Sequence, residues 1–146
     1  MKLLASSFAL AASIGAVAAP SHAVAANMVK LSADASPVQV FVDKDSIRRT
    51  GSQVRAAIEW RWSKATEVTD NPQKSYRMER QVQVANCDNR SYAVAEGTQY
   101  ADDRGVDPVN SYKNDESTLP FTVAPPRTIR DAVVVYVCAF VPPAKK

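Results

Sequence analysis

The sequence predicts a small exported domain built on an antiparallel β-sheet and braced by one disulfide. Three observations carry this. Apolar and polar residues alternate over several long stretches. Two cysteines, Cys87 and Cys138, follow an N-terminal export signal. A final apolar segment, Thr128 to Phe140, is able to lie against a sheet.

The signal comes first. Lys2 supplies a positive start, Leu3 to Ala19 is apolar and alanine-rich, and Pro20 breaks the run. Ser21-His22-Ala23 puts small residues where a signal peptidase reads, and Ala23-Val24-Ala25 offers a second site. The expected division is residues 1–23 as signal peptide and residues 24–146 as one domain. A mature chain of about 123 residues can bury roughly two-thirds of its unfolded surface, enough for a core. The expected compartment is the periplasm or the exterior, with no stable membrane insertion after cleavage. No cysteine stands at the cleavage region, so no lipid anchor is expected there. Cleavage also removes His22, the only histidine.

Export places the two cysteines in an oxidising space, where an even count favours a bond. They are 51 positions apart, without the close spacing of a redox pair. Closing such a loop stabilises a fold by about 4 kcal/mol on the chain-entropy model.

Val38, Val40 and Val42 alternate with polar residues and read as a short strand. Asp43 can cap one helical turn over Lys44 to Arg49. Gly51-Ser52 reverses the chain. Val54, Ala56, Ile58, Trp60 and Trp62 then share one strand face, with Arg55, Glu59 and Arg61 on the other, the pattern of a sheet with one wet side. The polar run Ser63 to Lys74, with Asn71-Pro72, reads as a loop. From Ser75, a second long strand sets Tyr76, Met78, Val82 and Val84 against Arg77, Glu79, Gln81 and Gln83. Asp88-Asn89-Arg90 turns the chain into a third strand, Ser91 to Tyr100, with Tyr92, Val94 and Tyr100 on one face. Ala101 to Pro120 is rich in turn formers and leaves room for a short strand around Val106 to Tyr112. The last segment reads two ways. Thr128 and Asp131 resemble a capping box, and Ile129, Ala132, Val133, Tyr136, Val137 and Phe140 have helical spacing, whereas Val133 to Val137 has strand propensity. Pro142-Pro143 stops either form.

The run from Val40 to Arg55, with Asp43, Ser46-Ile47 and Gly51, resembles the opening of the surface-adhesin protein E-like domain. Ser75 to Cys87, then Tyr100 and Gly105, then Pro125 to Cys138 continue the resemblance in order, across about residues 27 to 140. Ala85-Asn86 stands where members often carry an acid before the cysteine, and Leu119-Pro120-Phe121 where many carry a tryptophan. The resemblance implies an α+β fold: an antiparallel β-sheet of about six strands with a C-terminal α-helix tethered by the disulfide. It also implies an adhesin-like, non-enzymatic binding module for a protein or cell-envelope component. Separately, edge-strand pairing offers a route to a homodimer.

Chemistry read from the residues points the same way. Without histidine or a free thiol, the commonest nucleophile and base pairs are missing, and no glycine-rich phosphate loop or nucleophile elbow occurs. Paired carboxylates from Asp102, Asp103, Asp107, Asp115 and Glu116 are the alternative, a carboxylate-dependent envelope hydrolase. The same acids fit no regular calcium loop, and no cofactor or metal is expected. An enzyme inhibitor is the third reading. Net charge is +3 with both signs interspersed and no basic stripe, so nucleic acid is not an expected partner. The candidate partner surface joins Arg55, Arg61 and Arg77, on a wet sheet face where Glu59 and Glu79 would balance them in solvent, to Asp102, Asp103 and Tyr112 of the Ala101 to Pro120 segment. Trp60 and Trp62 are expected in the core.

Overall fold

Residues 27–140 are described by a computed structural model. The export signal and the Pro142-Pro143 stop lie outside the described residues. The predicted alternation produces β2 (Val38–Asp43), which pairs antiparallel with a short β1 (Met28–Lys30). Asp43 caps the turn that follows, its Oδ1 accepting from the Asp45 amide at 3.0 Å over a single 3-10 turn, Lys44–Ser46. β3 (Arg48–Thr50) reverses through Gly51, whose φ of +58° suits glycine, onto β4 (Gln53–Val68). β5 (Asn71–Asn86), β6 (Ser91–Tyr100) and β7 (Pro108–Lys113) follow, each antiparallel to the one before. The sheet order is β1-β2-β4-β5-β6-β7, with β3 also on β4 and a two-residue β8 (Thr122–Val123) on β6. The last element among the described residues is α1 (Ile129–Ala139), which Cys138 ties to Cys87 at a Cα separation of 5.6 Å.

α1 covers one face of the sheet. Val133, Val134 and Val137 bury themselves with Val40, Val42, Val54, Ala56, Ile58 and Trp60, and each buried valine or isoleucine is worth about 1.5–3 kcal/mol on leaving water. Trp62 packs at the edge of this cluster and meets Tyr76 edge-on at 5.1 Å. This is how a valine-rich segment becomes a helix: burial outweighs its strand propensity. The helix is rotated from the expected stripe, with Ala132 exposed and Val134 buried. Two anchors set the rotation. Asp131 pairs with Arg90 at 2.6 Å, and Cys138, seven residues on, is bonded to Cys87. Thr128 Oγ1 accepts from the Asp131 amide at 3.2 Å as a capping box requires. The Asp131 carboxylate, however, accepts from the Arg127 amide at 3.1 Å and takes no part in the reciprocal half of the box.

Three expectations are corrected. Ser63 to Lys74 is not a loop: β4 and β5 continue through it, and only Thr69-Asp70 turns. Its polar composition reflects a two-stranded ribbon beyond the core, where Ser63, Lys64, Gln73 and Lys74 are exposed. Pro72 lies past Met78, the residue opposite the end of β6, so its missing N–H meets no third strand. Second, Met78, Val82 and Val84 of β5 do not share a face with the apolar row of β4, although Tyr76, past the irregular step in the ribbon, does meet Trp62. Register sets Ala56 opposite Gln83, Ile58 opposite Gln81 and Trp60 opposite Glu79, so Glu79, Gln81 and Gln83 share the helix side and are buried. Third, Tyr100 does not share a face with Tyr92. Val82 pairs with Glu96 but Gln83 with Val94, so Ala95 is an extra residue, and a one-residue bulge flips everything beyond it.

Candidate binding surfaces

The sheet face opposite α1 carries rows read across the strands. Ala57, Val82, Glu96 and Lys113 form one row, and Glu59, Arg80, Thr98 and Ser111 the next. All of these but Glu59 line a shallow depression of about 510 Å³. Glu59 sits in this face yet is only 5% exposed, which corrects its expected place in solvent. Arg61 Nε donates to its Oε1 at 2.6 Å and Arg80 Nε to its Oε2 at 3.0 Å. The Arg61 guanidinium also stacks on the Phe41 ring at 4.9 Å. Gly105, at φ +73°, lies so close that a Cβ there would come within 2.8 Å of the Arg80 guanidinium.

Of the predicted surface residues, Arg61, Arg77 and Asp103 come together. With Gln39 and Trp62 they line a groove of about 200 Å³, where Arg77 Nη2 donates to the Ser63 carbonyl at 3.2 Å. Arg55 does not join them. It stands six residues along β4, roughly 20 Å away, paired with Glu116 at 2.8 Å. Asp102 organises its own loop. Its carboxylate accepts from the amides of Arg104, Gly105, Val106 and Asp107 at 2.7–3.3 Å. Desolvation pulls the other way, but these four donors hold the Asp102 carboxyl below the ordinary range. Asp115 likewise caps a short turn, held low by the Ser117 hydroxyl and amide. Three of the acids considered for hydrolysis are thus already engaged, Asp102 and Asp115 within their own loops and Glu116 with Arg55. Among the described residues no three His, Cys, Asp or Glu side chains gather as metal ligands.

Tyr112 turns away from the groove. Its ring crosses the bare face of Gly97, and its hydroxyl donates to Glu79 Oε1 at 2.6 Å. Gln99 Nε2 reaches the same oxygen at 3.5 Å, Asn110 Nδ2 donates to Gln99 Oε1 at 3.0 Å, and Gln81 Nε2 donates to the Tyr112 hydroxyl at 3.4 Å. Burial first, and the Glu79 carboxylate second, push the Tyr112 phenol well above its usual pKa. β4 advances five residues against two on β5 between the Arg61–Met78 and Thr66–Tyr76 pairs. Beyond this step Val68, Thr69 and Asp70 join Glu79, Gln99, Asn110, Ser111 and Tyr112 around a cavity of about 360 Å³.

This buried polar layer is absent from the sequence reading, which placed Glu79 in solvent. One signal could have found it. Cys87 must reach the helix, and Cys87 has the parity of Ala85, Gln83, Gln81 and Glu79. The disulfide alone therefore assigns those residues to the helix side.

The family model for surface-adhesin protein E matches residues 29–139. Crystal form II of Haemophilus influenzae protein E superposes with a TM-score of 0.50 at 18% identity, covering 68% of this chain and 80% of that one. Protein E from non-typeable Haemophilus influenzae gives 0.48 at 19% identity, covering 77% and 84%. At 18% identity the first of these speaks to the fold alone. No curated protein matches the sequence. No helix among the described residues is long and apolar enough to cross a membrane.

Proposed function

The chain belongs to the surface-adhesin protein E family, and on that footing we propose that it is an exported, adhesin-like module that binds a protein or cell-envelope component. In this reading residues 1–23 direct export and residues 24–146 act as a single domain, in the periplasm or released.

The observation that supports it most is the sheet face opposite α1, which no helix among the described residues covers, with Arg61, Arg77 and Asp103 gathered into one groove at its end. Arginines beside an aromatic side chain suit protein recognition, because their planar heads bond and stack at once. The neighbouring loop is held in shape by Asp102, so little order remains to be lost on binding. Pocket walls of this kind name no substrate chemistry. The edge strands β1 and β7 give a second copy a route to add strands, which makes a homodimer a subsidiary part of the proposal.

The test uses the mature protein, immobilised and exposed to arrays of extracellular-matrix and envelope proteins. Arg61→Glu with Arg77→Glu is expected to lower capture of a bound protein at least tenfold, and Arg55→Glu less than twofold. Equal capture by all three proteins refutes the groove. Cell fractionation that leaves the chain in the cytoplasm refutes the proposal as a whole.

A further inference from the structure

The cavity beneath the ribbon tip differs from the open-face groove in both wall and charge, and it stands apart from the adhesin reading. Glu79 lines it at 5% exposure. A carboxylate buried this far ordinarily has a cationic partner. Among the described residues, no lysine or arginine nitrogen lies within 4 Å of it. The cations that the fold brings to this side are engaged elsewhere. Arg130 of α1 stacks over Trp60 at 4.7 Å and Tyr92 at 5.1 Å, and Lys74 Nζ donates to the Val109 carbonyl at 3.2 Å.

The donors that Glu79 does have are neutral and converge on one atom. Tyr112 Oη and Gln99 Nε2 both reach Oε1. Oε2 has no protein donor among the described residues. The same cavity wall carries further oxygens: the Tyr112 hydroxyl, the side-chain amides of Asn110 and Gln99, and Asp70, which is exposed. A cavity of about 360 Å³ is within the range that takes a small ligand.

We propose that this cavity is a socket for a primary ammonium group, on a lysine side chain or a small diamine, received by Glu79 Oε2 with Asp70 at the entrance. One free carboxylate oxygen selects ammonium over guanidinium. An ammonium is a compact charge whose three N–H bonds can spread over scattered acceptors, whereas a guanidinium makes its best contact with both oxygens of a carboxylate.

The test is an NMR titration of the isotope-labelled mature protein with 1,5-diaminopentane, with 1,5-pentanediol as the neutral analogue and methylguanidinium as the planar cation. Saturable shifts are expected at the amides of Thr69, Asp70, Gln99 and Asn110, with diaminopentane at least tenfold tighter than either analogue. Glu79→Gln is expected to weaken diaminopentane at least tenfold, Asp70→Asn about threefold, and the groove variant Arg61→Glu not at all. No saturation, or equal binding of the diol, overturns the socket. Both outcomes are read on the unmutated protein, so a Glu79→Gln variant that failed to fold would not shield the proposal. Tighter binding of methylguanidinium overturns the choice of ammonium. Loss of adhesin-like capture would leave this result untouched, since it reports on another surface.

Discussion

Glu59 on β4 and Glu79 on β5 are each 5% exposed, and they look out from opposite faces of the same sheet. Glu59 lies between Arg61 and Arg80, whose guanidinium groups reach one oxygen each while remaining about half exposed. Glu79 has a phenol and an amide, both on one oxygen, and no cation among the described residues. Glu59 is closed electrostatically and can be a fixed part of the surface. Glu79 retains unspent charge beside a cavity. Equal burial therefore does not mean equal chemistry; what counts is which element covers each face and what it brings.

The largest test concerns what covers the helix side. Cys87→Ser with Cys138→Ser releases the end of α1 that packs over this face. Denaturant unfolding should show a loss of about 4 kcal/mol against the disulfide-bonded protein. A loss under about 1 kcal/mol would mean that valine packing alone seats the helix. The comparison itself is sharpened by removing each charge in turn. Glu59→Gln strands two arginines and should cost about 2 kcal/mol, as expected for charged hydrogen bonds. Glu79→Gln removes a charge with no counterion among the described residues, and its cost should lie within about 0.5 kcal/mol of zero. The reverse order in thermal or denaturant unfolding breaks the contrast.

Much of the architecture is visible in the residues. The alternation from Val54 to Trp62 gives β4 and its core face, Asp43 and Gly51 give the turns around β3, and the cysteine pair gives the tether. The faces of β5 and β6 are harder to read for a definite reason. β5 alternates cleanly, but its apolar set (Met78, Val82, Val84) has the wrong parity for the helix side, and hydrophobicity alone assigns it there. In β6, Ala95 as a bulge is indistinguishable from Ala95 in a regular strand, because only register reveals the extra residue. The groove of Arg61, Arg77 and Asp103 is assembled by the fold from β4, β5 and a loop. The residues were legible as polar and exposed; their meeting was not.

Tyr112→Phe probes the neutral donors that Glu79 depends on. Loss of the 2.6 Å hydrogen bond should cost about 1.5 kcal/mol near pH 7, since it leaves a buried carboxylate with only a long amide contact. The same phenol carries a pH signature. Its pKa in the folded protein is raised above the ordinary 10.0, so its contribution is whole below that value. As pH rises past 10, the unfolded chain gives up the proton while the folded one keeps it, and stability falls. Tyr76 is raised too, by burial first and Glu79 second, so the slope of stability against alkaline pH should shrink in the Phe variant without vanishing. An unchanged slope would show that Tyr112 does not titrate against Glu79.

The smallest expected effect is on the open side, in the loop that Asp102 organises. Here the folded pKa lies below the ordinary Asp value of 3.8, so the sign is opposite to that of Tyr112. The carboxylate's support for the loop is complete above the unfolded value and disappears as acid protonates the folded group. Because Asp102 is solvated, the change should be local: amide exchange at Gly105 and Asp107 quickens below the ordinary Asp range while the global unfolding midpoint hardly moves. Asp102→Asn should show the quickened exchange already at neutral pH. Its remaining oxygen is uncharged and competes poorly for four amides whose donors now open to water. If these amides exchange at the same rate in both proteins, the loop holds its shape through Gly105 against Arg80 instead, and the open face is organised by the Glu59 pair after all.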